Sequence, residues 1–167
     1  MKKLEPINIR IDFYSDKEKD KELHKIISKL KNNDIDVTTC DKTGHYFAAV
    51  LIPTILVYIK GIIISGITYD LIKKTILKIY NIYKDTKITK VTASKQTIEN
   101  ATFGVGYNNG KSIVYANFPQ KNIENPDEMI DKLLLDNNIF SKDERTRYLR
   151  YDHAKNNWVD IDLNDLK

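Results

Sequence analysis

The chain has 167 residues, 41% of them hydrophobic and 30% charged, with a net charge of +4, values of one ordinary globular domain rather than a disordered or fibrous chain. A single cysteine, Cys40, excludes an internal disulfide framework, and the start MKKLEPINIR lacks the apolar stretch of a cleaved secretory signal, so a cytoplasmic setting is expected. The charge is uneven: residues 1–46 carry +1, residues 47–97 carry +6 and residues 98–167 carry −3, which concentrates positive charge in the middle of the chain.

Ile7 to Phe13 alternates apolar and polar residues, the period of a half-buried strand. A helix over about 15–32 follows, with Ser15 predicted as N-cap and Glu18 reaching back in a capping box. Leu23, Ile26, Ile27 and Leu30 give it one apolar face, Asn32-Asn33 ends it, and Ile35 to Thr39 reads as a second strand. The opening is therefore β-α-β.

Phe47 to Tyr69 runs 23 positions with one charge, Lys60. It reads as the front half of a long apolar middle helix over 47–84, with Pro53 either kinking that helix or lying in the first turn of one that starts near Thr54. Gly61, Ser65 and Gly66 supply small side chains about one turn apart, the spacing that lets another backbone approach. From Tyr69 the pattern is amphipathic: Ile72, Ile76, Ile79 and Tyr83 share one face, while Lys73, Lys74, Lys78 and Lys84 lie away from it. As a membrane span the run is balanced near zero. Its twelve Ile, Leu, Val and Phe residues contribute roughly −5 kcal/mol on an insertion scale, and Lys60 takes back about 2.5–3.5. Pro53, Gly61 and Gly66 remove more, so burial in protein is the first expectation and membrane association the alternative.

Lys87 to Ser94 reads as a strand. Ala101 to Tyr107 and Ser112 to Phe118 flank Asn108-Asn109-Gly110-Lys111, a hairpin signal because Asn and Gly tolerate positive φ. Asn125-Pro126-Asp127-Glu128 opens a helix over about 125–138, with an N-cap, proline at the first helical position and acids in the first turn. Met129, Ile130, Leu133 and Leu134 form its buried face. Arg147 to Asp152 and Trp158 to Asp162 complete a second hairpin around His153–Asn157.

Four arrangements with chemical content resolve to structural readings. Gly104 to Ser112 ends in Gly-Lys-Ser, as a phosphate loop does. However, Val105 stands where the first small residue belongs, and the motif leads into a strand rather than a helix. Cys40, Asp41 and His45 lie close in sequence, yet nothing supplies an oxyanion site or an orienting partner. Asp127, Glu128 and Asp131 with Lys132 resemble a nuclease carboxylate cluster, but helix capping accounts for them. Arg145, Arg147 and Arg150 mix with Tyr148 and Tyr151; on a strand Arg147 and Tyr151 share one face and Tyr148 and Arg150 the other, so the segment makes no single stacking platform. No catalytic set, no cofactor fingerprint and no metal-ligand spacing is expected among these residues.

The fold expectation is α+β, a single domain over 1–167 with a mixed sheet of five to seven strands, a β-α-β start, the long apolar middle helix and a C-terminal hairpin. The order of elements over residues 1–95, with Gly61 and Gly66 followed by Asp70, Lys73 and Lys74, resembles small bacterial domains of the effector-associated type, found beside effectors of antiphage and other conflict systems. The resemblance implies a non-catalytic adaptor and transfers no active-site residues. The functional expectation is an interaction module that binds a protein partner or a second copy of itself through the middle helix, with Lys60, Gly61, Ser65 and Gly66 as the partner surface. The alternative is a small membrane-associated protein anchored by residues 47–69, with Lys73, Lys74, Lys78 and Lys84 at anionic headgroups. An anion or nucleic-acid surface on the lysines of residues 73–95 ranks third, and nucleic acid is the least expected partner.

Overall fold

The computed structural model describes residues 6–43, 53–63, 66–91, 93–119, 123–136, 139, 145–162 and 164. Their architecture is α+β. The strands are β1 (Asn8–Phe13), β2 (Asp36–Asp41), β3 (Ile55–Lys60), β4 (Lys87–Val91), β5 (Gln96–Asn100), β6 (Phe103–Asn108), β7 (Ile113–Asn117), β8 (Thr146–Asp152) and β9 (Asn157–Asp160). The helices are α1 (Lys17–Lys31), α2 (Ile67–Tyr83) and α3 (Pro126–Leu135). Seven strands form one mixed sheet in the order β2-β1-β3-β6-β7-β8-β9, and β4 and β5 pair apart from it.

The β-α-β opening is present, with β1 and β2 parallel across α1. Its N-cap is Asp16 rather than Ser15: the Asp16 carboxylate accepts from the backbone N–H groups of Glu18 and Lys19 at 3.1 and 3.3 Å. Ser15 instead donates its hydroxyl to Asp20 at 2.7 Å. A carboxylate is the stronger acceptor for helix N–H groups, which moves the start by one residue. The Asn125 cap of α3 is as expected, its side chain accepting from the Glu128 N–H at 3.2 Å with Pro126 at the first helical position.

The middle helix over 47–84 is corrected. Residues 55–60 of its front half are the strand β3, and among the described residues the helix runs only over Ile67–Tyr83, as α2. β3 lies inside the sheet, antiparallel to β1 and parallel to β6. Leu56 and Val57 point to opposite faces, and both are fully buried. With apolar or aromatic residues on both faces from Ile55 to Ile59, the strand has no polar alternation, so its sequence reads like an apolar helix. The glycine-interrupted helix in the element order of the resemblance is therefore a strand, a turn and a helix. Among the described residues no helix is long and apolar enough to cross a membrane.

The helices share one core with one face of the sheet. Ile9 and Ile11 of β1, Val57 and Ile59 of β3, Val105 of β6 and Val114 of β7 meet Leu23 and Leu30 of α1, Ile72, Ile76 and Ile79 of α2 and Ile130 of α3, all fully buried or nearly so. At the β9 end, Trp158 packs edge-on against Phe118 and Tyr151, and its indole N–H donates to the Met129 carbonyl at 2.8 Å. The other face of the sheet carries Arg10, Tyr58, Gly106, Tyr115 and Tyr148, placed side by side on β1, β3, β6, β7 and β8 by the strand register.

Candidate functional site

α1 and α2 pack beside each other and leave a groove of about 410 Å³ between their outer surfaces. Its lining follows from helical periodicity. Glu22, Lys25, Ile26 and Lys29 stand at i, i+3, i+4 and i+7 on α1, and Leu71, Lys74, Lys78 and Ile82 recur every three or four residues on α2. Ile26, Leu71 and Ile82 make an apolar floor, and Lys25, Lys29, Lys74 and Lys78 stand around it. The groove holds a single acid, Glu22, which pairs with Lys25 at 2.9 Å. Among the described residues, Lys29, Lys74 and Lys78 have no acidic partner. The chemistry on offer among the described residues is attraction of anions over a hydrophobic floor.

The residues singled out from sequence separate in space. Lys74 and Lys78 border the groove. Lys73 turns the other way, to α3, where it pairs with Asp131 at 2.8 Å and Asp127 at 3.2 Å. Lys84 is the exposed C-cap of α2, and Lys60 is exposed at the end of β3. Gly61 and Gly66 lie in the connection between β3 and α2 with φ of +135° and +125°, a backbone that side-chain-bearing residues rarely adopt. They serve the turn, and they do not form a small-residue face on a helix. Ser65 lies outside the described residues. Lys25 and Lys29 were missed because α1 alone presents them as part of a solvated face; their spacing around Ile26 was the only signal.

The contact of α2 with α3 is a polar clamp. The Tyr69 hydroxyl donates to Asp131, and the Lys73 ammonium donates to the same carboxylate at 2.9 Å. Partial burial alone would raise the Asp131 pKa, but the hydrogen bonds from Lys73 and Tyr69 outweigh it and hold the carboxyl below its ordinary value. A carboxyl depressed in the folded state stabilises above its unfolded pKa of about 3.9 and loses that contribution as pH falls through the lower folded value. With the Asp131 side chain 40% exposed, solvent screening limits the term to about 1 kcal/mol. Asp131→Asn is expected to lower stability by about that amount at neutral pH and to leave a smaller difference from the parent below pH ~3.5, as read by urea unfolding across that range.

The Gly104–Ser112 segment is the β6–β7 hairpin, and the turn's N–H groups are already used: Asn108 accepts from Gly110 at 2.9 Å, and Asn109 accepts from Lys111 and Ser112 at 2.9 and 3.0 Å. Cys40 is an exposed free thiol on β2, and His45 lies outside the described residues. Glu128 pairs with Lys132 at 2.7 Å along α3, and Arg147 pairs with Asp160 at 2.8 Å across β8 and β9. Among the described residues no group of three or more His, Cys, Asp or Glu side chains is placed to hold a metal ion.

Compared with models of known families, with curated proteins and with solved structures, the chain has no match.

Proposed function

We propose that this protein is a non-enzymatic interaction module whose α1–α2 groove seats an acidic amphipathic helix of a protein partner. The observation that carries the reading is the set of three lysines, Lys29, Lys74 and Lys78, left without counter-charge among the described residues around the floor of Ile26, Leu71 and Ile82. A partner helix with a leucine-rich stripe would cover the floor, and its flanking carboxylates would supply the missing charge. From Leu71 to Ile82 the α2 wall extends about 16 Å, the length of three helical turns of a ligand. An adaptor in a bacterial or phage conflict or regulatory system is the setting proposed for this role.

The test is a fluorescence-anisotropy titration with a labelled model helix that has glutamates flanking a leucine stripe. Lys74→Glu with Lys78→Glu is expected to weaken binding about tenfold or more, and glutamine in place of the peptide's glutamates should do the same. Both substitutions lie on exposed side chains, so circular dichroism should be unchanged. Sedimentation with anionic vesicles provides the competing arm. A protein that follows the vesicles and ignores the peptide is a membrane-surface binder, and the partner-helix reading is then lost.

A further inference from the structure

On the face of the sheet opposite the helices, a row of aromatic rings is satisfied within itself. Tyr115 lies between Tyr148, stacked at 5.6 Å, and Tyr58, at 6.0 Å across the gap that Gly106 leaves on β6. The Arg10 guanidinium covers the Tyr58 ring at 5.3 Å. The β4–β5 pair differs, because it is left incomplete. Among the described residues its two strands pair only with each other, and a two-stranded ribbon is marginal in water unless something packs against it. Ile88 supplies one such contact, packing on the core. The opposite face of the ribbon carries Thr89, Val91 and Ile98, with Val91 49% and Ile98 74% exposed.

The register shows which backbone groups are open. The Ala101 N–H donates to the Thr86 carbonyl at 2.8 Å, one step beyond the pairing of Lys87 with Asn100. Hydrogen-bonding direction alternates along an antiparallel strand. Thr97 and Glu99 therefore turn their N–H and C=O groups toward β4, and Gln96, Ile98 and Asn100 turn theirs to the free edge of β5. Among the described residues no strand meets that edge. Nor is it blunted: β5 has no lysine, the residue that most often protects an edge, whereas β4 carries Lys87 and Lys90.

We propose that β5 pairs antiparallel with β5 of a second copy of this chain, about a two-fold axis at Ile98, so that two chains share one four-stranded sheet. That axis sets Ile98 against Ile98 of the other copy, Thr97 opposite Glu99 and Gln96 opposite Asn100. The outward residues of the two strands then exchange about six hydrogen bonds. The two Ile98 side chains become neighbours on one face and cover each other. No like charges stand directly opposite. Pairing through β4 would instead gather four lysines on two facing strands. The register is complementary to itself, which favours a second copy over a foreign strand, and each copy has one such edge, so the assembly closes as a dimer. A five-residue edge is a small interface, so association is weak, in the micromolar range or above. The lining of the groove lies wholly on α1 and α2, and either surface can fail without the other.

The experiment is sedimentation velocity of the full chain from about 5 µM to about 1 mM, a range that brackets such an affinity. The parent is expected to pass from monomer to dimer as concentration rises. Ile98→Pro removes an N–H that points to the free edge, so the circular dichroism should be kept and the dimer lost. Ile98→Lys and Ile98→Glu each set like charges against each other at the axis and should stay monomeric alone, while their mixture should dimerise again. A cross-link tests the register, with Cys40→Ser as background. Thr97→Cys protein mixed with Glu99→Cys protein should form a disulfide-linked dimer, because opposed residues of this kind have Cα atoms about 4.5 Å apart. Neither variant should link to itself, since its two copies would lie about 8 Å apart. Lys74→Glu with Lys78→Glu should dimerise like the parent. The proposal is overturned by a monomer at every concentration, by Ile98→Pro or Ile98→Lys proteins that dimerise like the parent, by a charge-swapped mixture that stays monomeric, by cross-linking as fast in one variant alone as in the mixture, or by loss of the dimer in the groove variant.

Discussion

Replacing Asp12 by alanine is expected to lower the unfolding free energy by about 3–5 kcal/mol, although the residue is a single carboxylate near the end of β1. Its side chain is 7% exposed and that of Lys42 is 6% exposed, and the two charges meet at 3.4 Å. Arg10 approaches the other carboxylate oxygen at 3.1 Å. Removing Asp12 takes one carboxylate from beside a buried ammonium. The pair itself is not strongly stabilising, because both ions left water to form it. Asp12→Leu combined with Lys42→Met is therefore expected to recover most of the loss, since two apolar side chains of similar size need no counter-ion. Urea unfolding of the single and double variants measures both outcomes. A double variant as unstable as Asp12→Ala would mean that the loss comes from packing instead of charge. The same carboxylate also holds Arg10 beside Tyr58, so the single variant should loosen one end of the aromatic row.

Gly104→Ala is the second large effect, with an expected loss of about 3 kcal/mol or more. A Cβ at Gly104 would lie 2.2 Å from a Pro53 ring carbon and 2.5 Å from the Ala116 carbonyl oxygen. The carbonyl belongs to the neighbouring strand β7, so relief requires the sheet backbone to move. Gly106, two residues along β6, gives the contrast. The atoms nearest its added Cβ belong to the rings of Tyr58 and Tyr115, and these can turn outward, so Gly106→Ala should cost about 1 kcal/mol while parting the stacked row. Thermal or urea unfolding of the two variants should rank Gly104→Ala well below Gly106→Ala. The reverse order would show that the tyrosine row stabilises the sheet more than the Pro53 contact does.

Local signals proved sufficient where the chain decides its conformation within a few residues. The alternation in Ile7–Phe13, the apolar stripe of α1, the Asn-Asn-Gly turn and the Asn125-Pro126 helix start all appear as elements in the structure. Each depends on backbone preference or on a near-neighbour hydrogen bond, and both are properties of sequence. β5 was not anticipated, because Gln96–Asn100 has one apolar residue, Ile98, and pairs only with β4. The apolar run was misread for the opposite reason: Ile55 to Ile59 carry apolar or aromatic side chains on both faces of β3, so no polar alternation marks its period.

Of the candidate site, Lys74 and Lys78 were legible as the outward face of an amphipathic helix, and the placement of Lys73 was not. Whether an outward lysine is available or paired depends on what packs beside it, and α3 brings Asp127 and Asp131 to Lys73 from about sixty positions further along the chain. The mixed faces of the Arg147–Tyr151 strand were also read correctly, with Arg147 toward Asp160 and Tyr148 on the opposite face. What one strand cannot reveal is its neighbours. Tyr58, Tyr115 and Tyr148 come together only through the strand order and the gap at Gly106.

The sequence by itself determined that this is one α+β chain with three helical segments that each carry an apolar face, a basic middle and hairpins at defined turns, because those features follow from periodicity, caps and turn residues. The tertiary structure alone decided that residues 55–60 of the apolar run are a strand inside the sheet, which lysines have no acidic partner among the described residues and which tyrosines stack. Those outcomes depend on contacts between residues far apart in the chain, and no local pattern encodes such contacts.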